Sequence, residues 1–171
     1  MEGLREWHEF YVLLGTAAAA LVALLFVAVS IGVGFLTPER ATATRTFISP
    51  VVVHFSAVLF VSLLMLTPAD PRWLIAGLTA LVAIIGLCIS AYVTLEVARD
   101  RYEEVVFIDA LAYGAFPAVG YIAILCAALL LWRHSPELLA GGLLLLLFFN
   151  IRNAWDLMLT MVRRHSGSAS S

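Results

Sequence analysis

Five long apolar runs, separated by short polar punctuation, organise this chain. They cover about residues 10–36, 47–66, 73–98, 110–132 and 138–161. Each approaches or exceeds the ~20 residues that an α-helix needs to cross ~30 Å of hydrocarbon. Backbone groups in lipid must be satisfied within the segment, so runs of this kind predict helices rather than open strands. The punctuation supplies helix starts. Thr37, Pro38 and Glu39 read as an N-cap, a proline at the first helical position and an acidic first turn. Ser135, Pro136 and Glu137 repeat that signature before the fifth run. Pro68, Ala69, Asp70 and Pro71 form a turn signal between the second and third runs. Pro50 is expected to bend or break the second helix where it enters the membrane, and Pro117 to kink the fourth.

The predicted fold is therefore an all-α membrane protein, an up-down bundle of five transmembrane helices with short loops that make consecutive helices antiparallel neighbours. Residues 1–165 form one integral membrane domain, and residues 166–171, all small and polar, form a disordered tail. The second run is the weakest, because Ser49, His54 and Ser56 interrupt it; a four-span chain would leave one run lying at the interface. Gly15 and Ala19 on helix one, and Gly86 and Ser90 on helix three, offer small faces for close helix packing. The acidic segment around Glu2, Glu6 and Glu9 lacks the basic start of a signal peptide.

Composition agrees. Of 171 residues, 63% are hydrophobic and 13% charged, and the mean hydropathy is +1.00. Soluble domains carry roughly 45–50% apolar and ~25% charged residues. The net charge of −2 and the lack of a basic block argue against nucleic acid as a partner; the bilayer is the partner implied, with a second copy or another membrane protein as further partners. Five spans put the termini on opposite sides. Arg5, Arg72 and Arg133 fall on one side, and Arg40, Arg45, Arg99, Arg101, Arg163 and Arg164 on the other. The positive-inside bias then predicts an external N-terminus and a cytoplasmic C-terminus. Trp7, Trp73 and Trp132 fall together at the external end, as an aromatic belt would.

The polar residues inside the runs are the candidate chemistry. Asn150, Arg152, Asn153 and Asp156 interrupt the fifth run, and each charge at mid-bilayer depth costs ~2.5–3.5 kcal/mol on insertion scales. Arg152 and Asp156 are four residues apart and can pair on their own helix. His54 on helix two, Tyr92 and Glu96 on helix three, and Asp109 and Tyr113 on helix four fall in the same half of the bilayer. Three readings compete: an ion-pair network that fixes helix register, a polar cytoplasm-facing vestibule for an ion, a proton or a small solute, and an interface where a partner neutralises Arg152 or Asp156.

Enzymatic chemistry is not indicated. The chain has no HExxH, GxSxG or flanked aspartyl pair, although Asp109 and Asp156 would fall on the same side. No cofactor is implied: His8, His134 and His165 lie at depths unlike that of His54, which disfavours bis-histidine haem, and no Cys/His cluster suggests a metal. Cys88 and Cys126 read as small packing residues at different depths, not as a disulfide.

Trp7, His8, Glu9, Phe10 and Tyr11, followed by Gly15, the alanines at 17–20 and the segment from Leu24 to Ser30, resemble the start of a widespread group of small bacterial multi-span integral membrane proteins with no assigned biochemistry. The resemblance covers roughly the first span. It implies a bacterial inner-membrane location and brings no site residues with it.

Overall fold

In a computed structural model, the described residues are 7–33, 38–68, 72–99, 114–130 and 136–168, with side chains placed at 7–30, 50–68, 72–95, 114–130, 136–156, 158 and 159. They form five helices: α1 (His8–Val33), α2 (Pro38–Leu66), α3 (Arg72–Arg99), α4 (Phe116–Leu130) and α5 (Pro136–Ser168). Three windows, His8–Ser30, Arg72–Leu95 and Pro136–Asp156, are long and apolar enough to cross a membrane; Pro50–Leu66 and Phe116–Leu130 are shorter apolar stretches. At 1.5 Å per residue the three windows measure about 32–36 Å, enough for the ~30 Å hydrocarbon. The protein is thus a multi-pass membrane bundle.

Several boundaries differ from those read in the sequence. α2 does start at Pro38, where the proline lacks an N–H that the first turn has no use for. It then runs through Pro50 without a break, because Pro50 deletes only one backbone hydrogen bond of a long helix. Pro117 does not kink the middle of a helix. It lies in the first turn of α4, after a single π-helical step at Gly114 and Ala115. α5 continues to Ser168, so residues 166–168, expected in the tail, extend the helix.

Consecutive helices run antiparallel. Gly15 early in α1 abuts Ser62 late in α2, Gly114 before α4 abuts Thr94 late in α3, and Phe116 of α4 stacks on Phe149 of α5 at 4.3 Å between ring centres. The helices form a ring in chain order, closed by α5 against α1, and α2 also touches α5 across the ring. That cross-contact divides the bundle into a triangle (α1, α2, α5) and a square (α2, α3, α4, α5).

Each helix turns a 3–4-spaced row inward. On α3 the buried row is Thr79, Ala83, Gly86, Ser90 and Val93; on α5 it is Leu139, Leu143, Leu146, Asn150 and Asn153. Spacing of this kind keeps one seam facing the neighbours when helices pack at shallow angles. α4 and α5 approach most closely at Gly120 and Gly142. A methyl on Gly142 would meet the Gly120 carbonyl at 3.0 Å and Ile124 at 2.9 Å. Small residues at such crossings let backbones approach and gain dispersion contacts, the main association force in lipid. On α1 the packing face is Gly15 and Ala18; Ala19, predicted for that role, faces outward. Cys88 and Cys126 also face outward rather than packing inside.

Overpacking the crossing should destabilise the fold. Gly142→Val is expected to cost about 1–3 kcal/mol, whereas Gly141→Ala, whose added methyl meets nothing within 4 Å, is expected to be neutral or to gain up to ~1 kcal/mol of helix propensity. Reversible unfolding by SDS titration in mixed micelles measures both; equal effects would contradict the crossing.

Candidate functional site: a polar layer inside a four-helix square

The square of α2, α3, α4 and α5 leaves a wider interstice than the triangle, and Tyr121 of α4 fills it. Its ring lies over Gly86 of α3, where even one methyl group would overlap it. Its hydroxyl reaches across the square to α2, and a hydrogen bond of 2.8 Å joins Tyr121 Oη to His54 Nδ1. Both residues are fully enclosed. Whichever ring nitrogen carries the proton, the far nitrogen, Nε2, has no partner among the described residues.

Two more helices send polar groups to this level. Ser90 lies one turn beyond Gly86 on α3, and Asn150 one turn beyond Leu146 on α5. Val51 and Phe55, which flank His54, pack with Leu147 and Ala154, which flank Asn150. Phe116 and Phe149 stack beside them. Ser90 Oγ and both side-chain atoms of Asn150 are buried without a hydrogen-bond partner among the described residues. The contrast with the other hydroxyls is informative. Thr16, Ser30, Ser62, Thr67 and Thr94 each donate to the carbonyl four residues earlier on their own helix, the cheapest way to satisfy a hydroxyl in lipid. Ser90 does not. Buried polar groups are nearly always hydrogen-bonded, so Ser90 Oγ and the Asn150 carboxamide are exceptions among the described residues. Asn153, one turn further along α5, is buried as well. Thr79 is also buried without a partner, but it lies far along α3 from Ser90.

The structure therefore divides the residues singled out in the sequence. His54, Asn150 and Asn153 all turn inside. Arg152 and Asp156 turn outward, 45% and 42% exposed, and pair with each other at 3.6 Å. Trp155 beside Asp156 also faces outward, 65% exposed. The reason for the split is angular. The buried row of α5 is centred about 140° around the helix from Arg152, at ~100° per residue. Tyr92 faces outward too, so it does not join the cluster. The side chains of Glu96, Asp109 and Tyr113 lie outside the described residues.

Tyr121 and Ser90 were not recognised as site residues from the sequence. The signal was available: each continues a 3–4-spaced row of small or apolar residues, Pro117, Tyr121 and Ile124 on α4 and Thr79, Ala83, Gly86 and Ser90 on α3.

Among the described residues no three His, Cys, Asp or Glu side chains gather as a metal site. A shallow cleft elsewhere, lined by Trp73, Ala76, Gly77, Ala80, Ala128 and Leu129, is apolar and separate from the layer. Comparisons with protein-family models, curated proteins and solved structures find no match to this chain.

Tyr121→Phe leaves His54 Nδ1 without its partner and is expected to destabilise the protein by about 1–3 kcal/mol. Exchanging the outward pair, Arg152→Asp together with Asp156→Arg, is expected to change stability by less than about 0.5 kcal/mol. The same unfolding titration compares them. A larger loss from the exchange than from Tyr121→Phe would mean that the outward pair, not the inner layer, holds the bundle.

Proposed function

We propose that this chain is a five-span, channel- or transporter-like membrane protein whose polar vestibule admits an ion, a proton or a small solute. Its N-terminus is external, its C-terminus cytoplasmic, and the vestibule opens toward the cytoplasm. The observation that carries this reading is the set of buried, unpartnered polar atoms at one level: His54 Nε2, Ser90 Oγ and the Asn150 carboxamide. A bundle that needed polar groups only for register would pair them with one another, because an unsatisfied buried group costs stability. Groups held open at a common depth, near one face, suit a guest that arrives from that side. Intramembrane polar groups of this sort mark solute and proton pathways.

A second reading is supported by the outward pair. In a non-catalytic membrane subunit or regulator, Arg152, Asp156 and Trp155 would face another membrane protein or a second copy of the chain, and the inner layer would serve the fold. The arginine asymmetry supports the orientation. The first-span resemblance supports a bacterial inner-membrane location.

Two measurements test these readings. Reporter fusions at residue 1 and residue 171 should report opposite sides of the membrane; the same side would reject five spans. In proteoliposomes, the purified protein should raise solute or proton flux above that of empty vesicles, and His54→Leu and Asn150→Leu should lower it several-fold while Arg152→Ala does not. If the reconstituted, folded protein shows no flux, and Arg152→Ala instead releases a co-purifying partner, the subunit reading replaces the transport reading.

A further inference from the structure

The chemistry of the layer narrows what it can hold. Its described groups are an imidazole, a phenol, a hydroxyl and a carboxamide, from His54, Tyr121, Ser90 and Asn150. The two formal charges nearest in sequence, Arg152 and Asp156, turn away and pair with each other. The phenol already engages His54 Nδ1. What remains for a guest is one imidazole nitrogen, one hydroxyl, and an amide that offers both an N–H₂ donor and a carbonyl acceptor.

Among the described side chains, an inorganic cation entering this layer would shed its hydration and meet no carboxylate there, and an anion would meet no fixed positive charge there. Neither loss of hydration would be made good, and an uncompensated charge in a low-dielectric interior is strongly disfavoured. An uncharged molecule with both donors and acceptors exchanges its hydrogen bonds to water for bonds to Asn150, Ser90 and His54 at little net cost. The layer also discriminates by polarity, since an apolar guest would leave the amide unsatisfied.

We infer that the guest of the His54, Ser90, Tyr121 and Asn150 layer is a small uncharged hydrogen-bonding molecule, of the class of water, urea and polyols, and that the layer excludes inorganic ions. This rests on the vestibule reading above. It assigns Asn150 as the selective group, because its carboxamide presents separate donor and acceptor atoms to one guest, and Ser90 as a second ligand.

Full-length protein in proteoliposomes tests this by stopped-flow light scattering under inward gradients of urea and of glycerol. The same vesicles report proton entry through trapped pyranine after a pH jump, and potassium entry under a diffusion potential. Urea or glycerol permeability is expected to rise several-fold over empty vesicles, with proton and potassium entry unchanged. Asn150→Leu should abolish most of the gain, and Ser90→Ala, a small change that serves if Asn150→Leu does not reconstitute, should reduce it. Proton or potassium flux without any gain for urea or glycerol would overturn the uncharged-guest assignment and leave the vestibule standing. No flux of any kind would overturn both. A urea flux untouched by either substitution, in equally reconstituted protein, would overturn the assignment of the layer.

Discussion

Tyr121 lying over Gly86 and hydrogen-bonded to His54 is the contact on which the rest of the bundle depends. Four helices arranged as a square enclose more space than apolar side chains of ordinary length fill. A phenol directed across that space closes it, but only if the helix beneath has no side chain at that point. Gly86 meets the requirement, and the hydroxyl ties α4 to α2, which are not neighbours around the ring. Burial of a hydroxyl and an imidazole is tolerable because each satisfies the other. Ser90 and Asn150 lie one turn beyond Gly86 and Leu146 on their helices and, like His54 Nε2, are buried without a hydrogen-bond partner among the described residues.

The bundle has two kinds of interior, and their difference follows from the ring's geometry. Between α1, α2 and α5 the interior is a triangle filled by Leu25, Val51 and Phe55 with Leu21, Val22 and Leu147 around them. Across the square, apolar packing by Ile124, Leu143 and Leu146 gives way to the polar layer within about one helical turn of Tyr121.

Much of the fold was legible in the chain, and particular residues show why. The apolar runs around Leu24, Ile85 and Leu145 are too long for anything but membrane-crossing helices, and Pro38 and Pro136 stand where two helices begin. Ser166, Gly167 and Ser168 misled, because small polar residues at a chain end read as tail, while α5 has enough upstream helix to propagate through them. Pro117 misled in the opposite sense: it sits where a first turn tolerates proline, and nothing in its immediate neighbours shows where that turn begins. Of the candidate residues, His54, Asn150 and Asn153 turn inward and Arg152 and Asp156 outward, a division that the apolar surroundings of α5 leave unmarked in the sequence.

The sequence by itself determined that this is a multi-pass helical membrane protein, roughly where its helices lie, and which polar residues must be accommodated. It also determined the relative angles of residues on any one helix. Only the tertiary structure decided how each helix is rotated about its axis. In water, the apolar stripe of a helix announces the inward direction. In lipid both the interior and the exterior are apolar, so leucines on α5 point everywhere and give no such direction. Rotation was set instead by close approaches, Gly120 against Gly142 and Gly86 beneath Tyr121. Those contacts turned Asn150 inward and left Arg152 and Asp156 on the outer face of α5.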